Sequence, residues 1–133
     1  MSFILGRHFY FSEGKGSENM KIYETIQSIF NRYRQINNNI DYEEAKMILK
    51  NDKDAILLDV RSPQEYRENH LSCSINLPLY NIESNCNEML PNKEDTIIIY
   101  CQSGNRSKRA MQILQKEGYT NLYNIAGGMD NIY

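Results

Sequence analysis

Four residues, Gln102 to Asn105, separate the thiol of Cys101 from the guanidinium of Arg106. Before the cysteine runs Asp95-Thr-Ile-Ile-Ile-Tyr100, a β-branched stretch with the strongest strand signal in the chain. After the arginine, Ser107 to Glu117 carries Ala110, Met111, Ile113 and Leu114 on one helical face, with Gly118 placed as the C-terminal stop. A strand that ends on a thiol and turns through a loop into a helix brings backbone N–H groups and the positive end of the helix dipole to one point. Both favour a thiolate, the nucleophilic form of cysteine, and both would also favour the outer sulfur of a persulfide. Gly104 permits the positive φ that so tight a loop requires. Arg106 carries a fork of donors that can orient an anionic substrate or pair with a carboxylate to shape the loop. Ser103 could donate a hydroxyl to the sulfur, and Ser107 helps to start the helix.

The elements needed to position this loop can be read from about residue 39 onward. Asp41 followed by Glu44 is a capping-box start for a helix to about Lys50. Ala55 to Val60 is a short apolar run suited to a strand covered on both faces. Ser62-Pro-Gln-Glu65 opens a second helix, Ser74 to Pro78 reads as a short strand, Asn81 to Leu90 as a weak helix, and Leu122 to Ile125 as the last strand, ending at Gly127-Gly128. Such alternation predicts an α/β fold, a central parallel sheet of about five strands flanked by helices on both faces. Ligands of such sheets gather at the carboxyl ends of the strands, where Cys101 lies. Asp59 and Arg61, at the end of another strand, are expected on the same face as an ion pair that supports the pocket. Gly127-Gly128 is expected to allow close backbone approach near it.

Upstream, Met1 to Gly16 shows no clear period and reads as a leader or extension, with Met20 as an alternative start. From Asn19 to Gln35, Ile22, Ile26, Ile29, Phe30 and Tyr33 recur at helical spacing and predict an extra amphipathic N-terminal helix, its stripe packed on the domain's own core. Asn37-Asn-Asn39 reads as a linker or turn. The expected organisation is an N-terminal extension over 1–38 and one domain over 39–133.

The 133 residues hold 15 Lys and Arg against 17 Asp and Glu, a net charge of −2. That balance argues against nucleic acid, which calls for a basic excess. A basic spot of Arg106, Lys108 and Arg109 would suit a small anion better. The three cysteines, Cys73, Cys86 and Cys101, are odd in number and show no CxxC, which fits neither a disulfide framework nor a zinc site, and no metal or cofactor is expected. A reducing, cytoplasmic setting follows, with no apolar run near the roughly 20 residues that span a bilayer. His8 and His70 have no sequence neighbour that suggests base chemistry.

Several separated motifs, taken together in this order, resemble the rhodanese-homology sulfurtransferases from about Ile40 to Tyr133. They are Leu58-Asp-Val-Arg61 with Glu65-Tyr66, His70-Leu71 leading into Ser74-Ile-Asn-Leu-Pro78, Cys101-Gln-Ser-Gly-Asn-Arg-Ser107, and Gly127-Gly128. The resemblance implies a single rhodanese domain. Its catalytic cysteine would be Cys101 and its active-site loop Gln102, Ser103, Gly104, Asn105 and Arg106, leading into Ser107. It implies transfer of a sulfane sulfur from thiosulfate or a persulfide donor, by way of a Cys101 persulfide, to cyanide, a thiol or a protein cysteine. Two departures stand out. Cys73-Ser74 replaces the usual Gly-Ala before Ile75, and Asn131-Ile132 stands where an aromatic residue often follows the double glycine.

Two alternatives are weighed against this. Cell-cycle-type dual-specificity phosphatases and certain arsenate reductases look similar, but their Cys-to-Arg spacing is one residue longer, to wrap a tetrahedral oxyanion. A non-catalytic binding or sensing module would require Cys101 to be buried or unreactive. Cys73 and Cys86 read as structural or surface cysteines, with a resolving role towards Cys101 left open.

Overall fold

The computed structural model describes residues 20–26, 29 and 38–132. Its contacts divide the chain into two units, 1–38 and 39–133. In the first, residues 20–26 and residue 29 are helical, with Met20, Ile22 and Ile29 exposed. Phe30 and Tyr33 of the expected stripe, like residues 1–19, lie outside the described residues.

The second unit is built on five parallel strands: β1 (Asn39–Ile40), β2 (Ile56–Asp59), β3 (Ile75–Asn76), β4 (Ile97–Tyr100) and β5 (Leu122–Ile125). Their spatial order is β1-β5-β4-β2-β3. The helices are α1 (Tyr42–Asn51), α2 (Pro63–Glu68), α3 (Ile82–Met89) and α4 (Asn105–Lys116), with 3-10 turns at Leu79–Asn81 and Gly128–Asn131.

β4 is central, and every one of its residues is buried. Its unbroken apolar run follows from cover on both faces. Ile97, Ile99 and Cys101 face one core layer, with Cys86 of α3 and Ala110, Met111 and Leu114 of α4. Ile98 and Tyr100 face the other, with Ala45 of α1, Leu71, Ile125 and Met129. Each fully buried isoleucine contributes roughly 1.5–3 kcal/mol by removal from water.

The helix starts follow their local signals. Asp41 caps α1 by accepting from the Glu44 N–H at 2.7 Å, while the Glu44 carboxylate accepts from the Asp41 N–H at 3.3 Å. Ser62 caps α2 through the Glu65 N–H at 3.2 Å, with Pro63 in its first turn. α4 stops at Gly118, whose φ of +97° lets Tyr119 N–H reach back to the Leu114 carbonyl.

Two expectations need correction. Asn39, read as part of a linker, pairs instead with Asn124 in β1, and Asn124 Nδ2 donates to Asn39 Oδ1 at 2.9 Å. A two-residue edge strand is too short to show a period. α4 begins at Asn105, two residues before the expected start, because Gly104 (φ +106°) is its N-terminal boundary. Asn105, Arg106 and Ser107 therefore form the first helical turn rather than loop.

From β2 the chain runs outward to β3, and from β4 it runs the other way to β5. The connections diverge where β2 and β4 lie side by side, and a crevice opens at their carboxyl ends. Among the described residues no helix is long and apolar enough to cross a membrane.

Candidate active site

Cys101 follows directly on β4 and is fully buried. Its Sγ accepts from the Gly104 N–H at 3.0 Å and the Ser107 N–H at 3.4 Å. The left-handed Gly104 makes this possible, because it folds the chain back so that the first turn of α4 aims its free N–H groups at the sulfur. The thiol in turn donates to Ser107 Oγ at 3.5 Å, and that hydroxyl donates to the Gly104 carbonyl at 3.0 Å. Ser107 is thus the hydroxyl beside the sulfur, while Ser103 and Asn105 are exposed. Two N–H donors and the positive end of the α4 dipole thus converge on one sulfur.

The other side of the loop is held by the glycine pair. The Met129 N–H donates to the Cys101 carbonyl at 2.9 Å and the Asp130 N–H to the Gln102 carbonyl at 2.9 Å. A Cβ on Gly128 would lie 2.3 Å from the Cys101 carbonyl oxygen and 2.8 Å from the Gln102 carbonyl carbon and oxygen. No side chain fits there, so the close backbone approach expected of this pair is what the structure contains. Asn131, in the place of the usual aromatic, fills the space beside Gly127.

Arg106 takes the second of its two expected roles. Its guanidinium forks onto Glu65, with contacts of 3.1 and 3.0 Å, and ties α4 to α2. Lys108 and Arg109 are exposed and do not join it in a basic spot, since Arg109 lines a separate groove with Glu83 and Lys116. Asp59 and Arg61 form the expected ion pair, with side chains 0% and 3% exposed and a closest contact of 2.7 Å. Asp59 Oδ1 also accepts the Arg61 N–H at 2.8 Å, and Arg61 donates to the Asn69 carbonyl and, at 3.3 Å, to Gln102 Oε1. Burial works against the Arg61 charge, and the hydrogen bonds and charge of Asp59 more than offset it, so its pKa is raised. Arg61 thereby links the end of β2 to the residue after Cys101.

A cleft of about 420 Å³ opens above this network, lined by Arg61, Glu65, Glu68, Asn69, Gln102, Met129 and Asp130. Gln102 spans it, donating from Nε2 to Asp130 Oδ1 at 2.7 Å. Glu65, Glu68 and Asp130 were not foreseen as site residues. Glu65 was legible as the residue that closes the helix cap and as part of the Glu65-Tyr66 motif, and nothing short of the fold joins residues 65, 102 and 130.

Further out, the Tyr100 hydroxyl accepts from the Leu71 N–H at 3.0 Å and lies 2.9 Å from Ser74 Oγ, pinning the segment before β3. Cys73 adopts φ +69°, the only positive φ of a non-glycine residue among those described. The departure from Gly-Ala thus puts a side chain where the backbone asks for glycine. Cys73, Cys86 and Cys101 are all free thiols. No group of three or more His, Cys, Asp or Glu among the described residues could hold a metal ion.

A parallel α/β domain that seats one thiol under converging N–H groups at its topological switch point is a scaffold for thiol chemistry. Residues 41–133 match the model of the rhodanese-like domain, and the chain belongs to that family. It is 39% identical over 75 residues to the thiosulfate sulfurtransferase PspE of Escherichia coli, covering 56% of this chain and 71% of that one. To a sulfurtransferase of Allochromatium vinosum it is 34% identical over 92 residues, covering 69% and 84%. The human single-domain sulfurtransferase TSTD1 superposes with a TM-score of 0.62 at 27% identity, over 68% of this chain and 90% of that one. The chain spans about half, 48%, of its relative YrkF of Bacillus subtilis. These relatives support a general sulfurtransferase role.

Proposed function

We propose that the protein is a sulfurtransferase working through a persulfide on Cys101. The Cys101 thiolate attacks the outer sulfur of thiosulfate or of a persulfide donor. The new S–S bond forms as the old one breaks, and the leaving group (sulfite, or a thiolate) departs with the electron pair. A second nucleophile, cyanide or a thiol on a small molecule or protein, then takes the sulfur and restores the thiolate, so the kinetics are ping-pong. The single observation that carries this reading is the pair of N–H groups, Gly104 and Ser107, on one sulfur. The Arg106–Glu65 and Arg61–Asp59 pairs hold the loop and the mouth in place. No step requires a metal or an organic cofactor.

Intact mass spectrometry after brief exposure to thiosulfate, without reductant, tests it. The wild type is expected to gain about 32 Da, labile to cyanide, and Cys101→Ser to gain nothing. No gain from thiosulfate and none from glutathione persulfide would overturn it.

The complete burial of Cys101 favours a second reading, a non-catalytic rhodanese module. Sulfur transfer requires the loop to open, whereas a module leaves the thiol inert. The same mass measurement separates the two.

A further inference from the structure

The Arg61 guanidinium that lines the cleft is already matched by Asp59, and Glu65 of the same lining is paired with Arg106. Two further carboxylates, Glu68 and Asp130, line the same cleft. Their hydrogen-bond partners are neutral amides: Gln64 Nε2 donates to Glu68 at 3.2 Å and Gln102 Nε2 to Asp130 at 2.7 Å. Among the described residues neither has a cationic partner. Among the residues that line the cleft, Glu65, Glu68 and Asp130 thus stand against Arg61, an excess of two negative charges beside Gln102, the residue that follows Cys101. Lys108 and Arg109, which could have redressed the balance, do not line the cleft. The two N–H groups that would attract an anion, those of Gly104 and Ser107, are already bonded to Sγ.

A charged mouth acts on substrates in transit, over a screening length of about 8 Å at physiological ionic strength. It repels a dianion such as thiosulfate and draws in a donor with positive charge beside its sulfur. We infer that Glu68 and Asp130 are specificity-determining residues, and that they select a persulfide R–S–SH carrying a cationic group near the sulfane sulfur over small dianionic donors. This rests on the sulfurtransferase reading above. The balanced step is attack of the Cys101 thiolate on the outer sulfur, giving Cys101–S–SH and releasing R–S⁻ with the electron pair of the broken bond. The sulfane sulfur keeps its oxidation state, so no oxidant or reductant enters. R is a small aminothiol or a cysteine in a lysine-rich protein segment, and both present the same chemistry to the mouth.

The test measures the second-order rate of Cys101 persulfidation in the full chain by quenched mass spectrometry. The donors are thiosulfate, glutathione persulfide, cysteamine persulfide and a cysteine-persulfide peptide flanked by lysines. Because intrinsic reactivities differ, charge is read within each donor, from low to high salt and from wild type to the doubly substituted Glu68→Gln, Asp130→Asn. The double substitution is expected to raise the thiosulfate rate about threefold to tenfold and to lower both cationic rates by a similar factor. Added salt should act in the same directions on the wild type and far less on the variant. The salt arm needs no substitution and stands even if the variant folds poorly. A larger loss of rate on double substitution for the peptide than for cysteamine persulfide would assign the donor to a protein, the reverse to a small aminothiol, and either supports the inference. Rates insensitive to salt and to both substitutions, or a thiosulfate rate that falls with salt, would overturn the selectivity while leaving the sulfurtransferase reading intact. No transfer from any donor would remove both.

Discussion

At the scale of single residues, the site depends on backbone in contact with backbone. Gly128 combines a left-handed φ of +60° with a Cβ position occupied by the Cys101 carbonyl. Gly128→Ala must therefore both adopt a disfavoured conformation and displace the backbone of Cys101 and Gln102. We expect a loss of about 3 kcal/mol in urea denaturation, the sum of strain and overpacking, together with slower persulfidation. A variant within half of that value would mean that the loop yields easily, and that the glycine serves no packing need. Asp59→Asn tests the other support. It leaves the buried Arg61 charge uncompensated, and a cost of about 3–5 kcal/mol is expected from the same measurement. The strand, glycine and helix around Cys101, and the pairing of Asp59 with Arg61, were legible in the sequence because strand ends and helix starts dictate them locally. Glu65, Glu68 and Asp130 were not, since each reaches the cleft only through the order of the strands.

At the scale of elements, the legible parts are those whose signals are local and redundant. The capping box of Asp41 and Glu44, the Ser62-Pro63 start and the isoleucine run of β4 each carry two agreeing cues, and each lies where expected. β1 has two residues and no cue of its own, and exists only because β5 offers an edge to pair with. The early start of α4 reflects a glycine acting as a helix boundary by its φ rather than a side chain acting as a cap. The turn before β3 shows the opposite mismatch, a sequence at odds with its backbone. Cys73 holds φ +69°, which costs an L-residue about 1–2 kcal/mol. Cys73→Gly should relieve that strain while adding freedom to the unfolded chain, for a net gain of about 0.5–1 kcal/mol in urea denaturation. A loss of stability would show that the Cys73 side chain makes a contact worth more than the strain. Since Cys73 is exposed, the same variant also asks whether it resolves the persulfide proposed on Cys101. Unchanged turnover with thiol acceptors would exclude that role.

At the scale of the whole molecule, two buried tyrosines pin the layers on opposite faces of the sheet. Tyr100 belongs to the core on the α1 side, and its hydroxyl holds Leu71 and Ser74. Tyr119 belongs to the core on the α3 and α4 side, and its hydroxyl donates to the Cys86 and Leu90 carbonyls at the end of α3. Burial pushes both up to about 12, against 10.0 for a free tyrosine. The sign follows from the protons held. Between pH 10 and 12 the unfolded chain loses these protons while the folded chain keeps them, so unfolding is favoured as pH rises. The stabilisation from each neutral tyrosine is fully present below pH 10 and is lost by about pH 12, on the order of 3 kcal/mol for a two-unit shift. The urea midpoint of the wild type should accordingly be level from pH 8 to about 9.5 and fall steeply above 10. Tyr100→Phe should begin lower, because the Leu71 N–H and the Ser74 hydroxyl lose their buried partner, at a cost of about 1–3 kcal/mol. Its decline above pH 10 should be shallower, since one of the two titrating groups is gone. Lysines and exposed tyrosines titrate alike in both proteins, so the difference in slope isolates Tyr100. Parallel slopes would mean that Tyr100 ionises in the folded state as readily as in the unfolded one, and that its hydroxyl does not lock the segment before β3 against the sheet.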